Sequence, residues 1–179
     1  MKLYPRLFFA TCLEYKEMGR YGVRKMKWTS EDMDMYLKAK EYVDTIVLPL
    51  YPIALDDRIR KTAEMTEFIN LLTVQLERQF RGRLIMLPGF NYLKSANGED
   101  VLEDLLKWEK EFLDKGFKHI IYLTSDSDWK LSEAKMTGSL LWLPTIPLQQ
   151  MDQQYRNTIL KDQLQQLITL FVQKWEKQE

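Results

Sequence analysis

This chain of 179 residues has one cysteine and one histidine. Cys12 has no internal disulfide partner, and a chain without a disulfide framework reads as a protein of a reducing cytoplasm. His119 stands at the start of an apolar run, where a structural role is expected and not general-base work. Together the two residues leave no zinc site and no thiol chemistry, so neither a metal nor a cofactor is expected. No loop carries G-x-G-x-x-G or G-x-x-x-x-G-K-S/T, which argues against a dinucleotide fold or a Walker-type phosphate cradle. The G-x-S-x-G elbow of serine hydrolases is missing as well. No apolar run approaches the roughly 18 residues of a membrane span. Net charge is absent too: 26 basic residues balance 26 acidic ones. Residues 1–25 hold six basic and two acidic residues, which leaves the rest with 20 and 24, slightly acidic and without an electrostatic footprint for nucleic acid.

Residues 1–25 show neither helical nor strand periodicity. Their apolar stretch Leu7–Leu13 is interrupted at Thr11 and Cys12, with no convincing cleavage site after it, so a signal peptide is not expected. Met26 offers an alternative start. The expectation is a non-native or disordered extension over 1–25 and a single α/β domain over 26–179.

Proline and glycine are scarce, at six and seven, which makes their positions informative. Four apolar phrases recur: TIVLPL from Thr45, LIMLPG from Leu84, HIIYLT from His119 and LLWLPT from Leu140. Each is too short for a helix and apolar on both faces, as a strand buried on both sides of a sheet must be. Helical patterns lie between them. Thr29-Ser30-Glu31-Asp32 reads as a cap and acidic first turn, with the helix running to about Tyr42. Asp56-Asp57 opens a second helix and Asn97-Gly98 a third. Ser127 or Ser132 caps a short fourth. A fifth runs from about Asp152 to Lys174, its stripe Leu160, Leu164, Leu167, Phe171 and Trp175 on helical spacing. Gly82, Gly116 and Gly138 precede apolar runs, where a helix end needs a left-handed residue. The pattern predicts an α/β fold: a small three-layer sandwich, flavodoxin/Rossmann-like, around a mostly parallel four-stranded sheet. Right-handed crossovers favour strand order 2-1-3-4, with 1-2-3-4 the alternative and the last strand open to an antiparallel edge position.

In such sheets ligands bind beyond the carboxyl ends of the strands. The loops expected there begin at Pro49, Pro88, Thr124 and Pro144, three of them with a proline that ends the strand. Tyr51, Asn91, Tyr92, Ser125, Asp126 and Asp128 are the candidates to line a pocket. The plain alternative is that prolines stop strands, aromatics cover the sheet end, and Asp126 and Asp128 cap a helix instead of holding a hard cation. Trp108 and Trp175 fall on helical stripes and are expected in the core.

From Met26 onward the chain resembles an uncharacterised family of short proteins from Bacillus and its relatives, the YpiF-type domain of unknown function. Met26-Lys27-Trp28, Asp44-Thr45-Ile46-Val47-Leu48-Pro49 and Leu84-Ile85-Met86-Leu87-Pro88 carry the resemblance, which covers about 150 residues. It implies no activity. The reading that follows is a non-catalytic cytoplasmic binding or adaptor protein, whose unknown partner is a protein or a small molecule, with a homodimer open. The alternative is an enzyme acting on a nucleotide- or sugar-like small molecule at the strand ends, with Asp126 or Asp128 and Tyr51.

Overall fold

The computed structural model describes residues 27–80 and 82–176; the expectation for residues 1–25 lies outside them. Five strands are present among the described residues: β1 (Thr45–Ile53), β2 (Leu84–Met86), β3 (Phe90–Leu93), β4 (His119–Thr124) and β5 (Ser139–Trp142). The α-helices among the described residues are α1 (Ser30–Lys38), α2 (Ile59–Gln79), α3 (Gly98–Asp114) and α4 (Gln153–Glu176). Every pairing is parallel, in the order β2-β1-β4-β5, with β3 also on β1. The four apolar phrases therefore lie in the expected order 2-1-3-4, and the last of them is parallel.

The fifth strand is a correction. Phe90–Leu93 reads as loop in the sequence because Pro88-Gly89 precedes it. In the fold β2 pairs with Thr45–Val47 and β3 with Leu50–Ile53. The carbonyls of Val47 and Ile53, an even number of residues apart, accept from Leu87 and Lys94. Both partners thus lie on one side of β1, because backbone groups alternate sides along a strand. Leu48 and Pro49 separate the paired stretches on β1, against Leu87, Pro88 and Gly89 opposite. The extra residue is a bulge. Gly89 makes it possible with φ +127°, and a Cβ there would meet the Tyr51 ring at 2.4 Å.

Pro49 does not end the strand as expected, and the loop foreseen over residues 49–52 is part of it. β1 runs through Pro49 and Pro52. The Leu50 carbonyl accepts from Thr124 Oγ1 on the β4 side, so Pro49, one residue away, directs its missing donor at the bulge. Pro52 directs its own past the end of β4, whose ladder with β1 stops at Pro49–Leu123. Each proline falls where no ladder bond is needed.

Helices cover both faces. On one, Val47, Ile121 and Leu141 pack against Phe68 and Leu72 of α2 and Leu167 and Phe171 of α4. On the other, Leu48, Ile120 and Tyr122 meet Leu102 and Leu105 of α3, with Met33 and Tyr36 of α1. Each such side chain contributes about 1.5–3 kcal/mol when fully buried. Trp175 is buried as expected, and its Nε1 donates to Thr45 Oγ1 at 2.9 Å, tying α4 to the start of β1. Trp108 departs from expectation: it is exposed, touching Phe90 and Phe112 edge-on, because the buried stripe of α3 narrows to Leu102, Leu105 and Glu109. Gly138 also departs. Its φ is not positive; it is needed because a Cβ would lie 2.6 Å from the Tyr122 ring. Glu109 anchors this crossing, accepting from Tyr122 Oη and the Thr137 and Gly138 amides at 2.8–2.9 Å.

Candidate functional site at the strand ends

After β1 the chain moves to the β2 side, and after β3 it crosses to β4. The carboxyl ends of β1 and β4 are therefore where strand order reverses, the place where open parallel sheets hold ligands. A cavity of about 180 Å³ lies here, and Arg58, Tyr92, Lys94, Asp126, Asp128 and Trp129 are among its lining.

Thr124 begins the geometry. Its hydroxyl donates to the Leu50 carbonyl and accepts from the Asp126 amide at 3.0 Å, which turns the chain sharply out of β4. Asp126 then caps the 3-10 turn Ser127–Leu131, its Oδ1 accepting from the Asp128 amide at 3.2 Å. Neither serine expected as a cap takes that role: Ser127 lies inside the turn, and Ser132 makes no side-chain cap bond. The other carboxylate oxygen of Asp126 accepts from Tyr92 Oη at 2.6 Å and from Lys94 Nζ at 2.8 Å. Tyr92 Oη in turn accepts from Trp129 Nε1 at 2.8 Å, and Lys94 Nζ donates to Asp128 at 2.5 Å. The polar atoms of this cluster thus answer one another. Arg58 beside it is bidentate to Asp56.

The electrostatics follow from these contacts. Burial alone would raise the Asp126 carboxyl, but bonds from Lys94 and Tyr92 outweigh it, and its pKa is lowered. Burial would lower the Lys94 ammonium, and the bonds to Asp126 and Asp128 raise it instead. Burial and then the Asp126 carboxylate push the Tyr92 phenol far up. Arg58 holds Asp56 at about 2. Each group is fixed in its ordinary charge state, whereas a general acid or base would need a pKa near neutrality.

Of the six sequence candidates, Tyr92, Asp126 and Asp128 come together. Tyr51 does not join them. It faces the α2 side, where burial raises its phenol. Asn91 is its register partner and is exposed. Ser125 is buried; its carbonyl accepts from Trp142 Nε1, and its hydroxyl has no partner among the described residues. Lys94 and Arg58 were not foreseen. The signal for Lys94 was slight: Phe90-Asn91-Tyr92 reads apolar, polar, apolar, the start of a strand whose end delivers Lys94 to this site. Among the described residues no three His, Cys, Asp or Glu side chains converge as a metal site would require. No helix among them is long and apolar enough to cross a membrane.

A family model described as protein of unknown function (DUF2487) matches residues 34–175. A curated relative, the uncharacterized protein YpiF of Bacillus subtilis (strain 168), is 32% identical over 150 residues, which cover 84% of this chain and 98% of the relative. No solved structure is a significant match.

Proposed function

Given that this chain belongs to the DUF2487 family, which carries no assigned activity, we propose that it is a non-catalytic cytoplasmic binding or adaptor protein that docks a partner protein on the strand-end face. One observation carries this reading. Five exposed aliphatic side chains line the cavity, pair in register with a lining residue or lie within three residues of one in the chain: Ile53, Leu55, Ile59, Leu93 and Leu131. Leu93 lines the cavity and Ile53 is its register partner. Leu55 and Ile59 flank Arg58 in sequence, and Leu131 lies between the cavity residues Trp129 and Ser132. Leu55 and Leu131 are 82% and 86% exposed. Scattered surface leucines are ordinary, but a group of them around one polar centre is the composition of a contact face.

The charge at that centre supports a kind of partner. Asp56, Asp57, Asp126 and Asp128 outnumber Arg58 and Lys94, so a partner segment presenting apolar side chains around a basic one is the complement. The cavity itself supports a second reading, an enzyme on a nucleotide- or sugar-like molecule, because Lys94, Asp126 and Asp128 line it with charged donors and acceptors.

Native mass spectrometry of the chain purified from its own host separates the two. A co-purifying polypeptide that is lost in Leu55→Asp/Leu131→Asp and kept in Asp128→Asn supports docking. A small molecule released on gentle activation, and lost instead in Asp128→Asn, refutes it in favour of the second reading.

A further inference from the structure

A second hollow, of about 360 Å³, lies elsewhere, along the open edge of β5. Leu143 donates its amide to the Thr124 carbonyl on β4. By alternation the N–H and C=O groups of Leu140 and Trp142 point away from the sheet. Natural edge strands are normally blunted by charge, proline or a bulge. Ser139-Leu140-Leu141-Trp142 has none of these. On the opposite side of the sheet, Lys27 bridges Met86 of β2. The Trp142 side chain does not cover its own edge: Nε1 donates to the Ser125 carbonyl, and the Lys130 ammonium sits 3.4 Å over the ring.

We propose that two copies of this chain join here, pairing their β5 edges antiparallel across a two-fold axis. The groove beside the edge is floored by Leu143, Leu167 and the exposed Leu170. One rim, from α4, carries Gln163 and Gln166, and the other carries Lys130 and Glu133. An isologous contact must complement itself, because the same patch meets its own copy. A rim with one positive charge, one negative charge and two amides that both donate and accept meets that condition. A strongly acidic or basic rim would repel its copy. The dimer would run two five-stranded sheets into one, with the leucines of each groove covered by the partner.

The test is the mass of the full chain by analytical ultracentrifugation from about 1 μM to about 1 mM. A concentration-dependent dimer is expected. Lys130→Glu gives a rim of two negative charges and Glu133→Lys one of two positive charges. Each alone should weaken the dimer about tenfold, and an equimolar mixture should recover it as a heterodimer. Leu140→Pro removes an outward amide and leaves the β4 ladder intact; it should abolish the dimer. If that variant does not fold, the charge mixture decides alone. Three outcomes overturn the proposal: a wild-type monomer throughout the range, a dimer indifferent to both charge reversals, or an edge occupied only by a different polypeptide.

Discussion

Asp126 should hold the strand-end face together, and Asp128, two residues away on the same ammonium, should contribute little. The Asp126 side chain is 5% exposed and that of Asp128 69%. Asp126→Ala would leave Tyr92 Oη without its acceptor, the Asp128 amide without its cap and Lys94 with a single exposed partner. Removing one partner from a buried ion pair costs about 3–5 kcal/mol. Lys94 keeps Asp128, which reduces that cost, while loss of the cap adds about 1 kcal/mol, so a destabilisation of about 3 kcal/mol is expected. Asp128→Ala removes a solvent-facing pair and should cost about 0–1 kcal/mol. Urea unfolding at neutral pH compares the two. The pH dependence gives a second check. A carboxyl whose pKa is lowered in the fold stabilises it above the unfolded value of about 3.9, and this contribution is lost as pH falls through the folded value below that. Wild type should therefore lose stability below about pH 4 more steeply than Asp126→Asn. The reasoning fails if Asp126→Ala and Asp128→Ala unfold at the same urea concentration.

Three further substitutions test the frame around this face. Gly89→Ala would drive a Cβ into the Tyr51 ring at a positive φ and should cost about 2 kcal/mol or more, seen as a lowered thermal midpoint. Glu109→Gln would place an NH2 where a carboxylate oxygen now accepts from buried donors; a loss of about 2 kcal/mol is expected in urea, and an unchanged midpoint would show the donors find other partners. Trp175→Phe would remove the donor to Thr45 Oγ1 and reduce packing against Phe80 and Phe171, costing about 1–3 kcal/mol by the same assay, with loss of near-ultraviolet dichroism from the indole.

The buried strands were legible because doubly covered strands must be apolar throughout, and Val47, Leu48, Ile120 and Ile121 are. Family membership was legible in residues 44–49 and 84–88, since these strand cores with their prolines carried the resemblance later matched by the family model. What was not legible depended on pairing. Pro49 and Pro52 look like terminators until one knows which side of β1 has no ladder bond to make there. Phe90–Leu93 alternates because it lies at an edge, and a short alternating run after Pro-Gly gives little signal. Missing β3 also meant missing Lys94, whose ammonium reaches Asp126 only because that strand delivers it. Tyr51 was assigned to the strand end by position, but strand parity points it to the α2 face. Trp108 shows the limit of periodicity: helical spacing names a stripe, and neighbouring elements decide how much of it is covered.

The bond from Trp175 to Thr45 joins the far end of the last described helix to the start of the first strand. A ribosome delivers those residues far apart in time, β1 well before α4. Until α4 emerges, Val47, Ile121 and Leu141 have only α2 to cover them, and part of one sheet face stays open to the cell. The nascent chain therefore carries a half-covered sheet until α4 emerges, a condition that invites chaperone capture. It also makes a chain stopped before about residue 153 a target for proteolysis instead of a smaller folded protein.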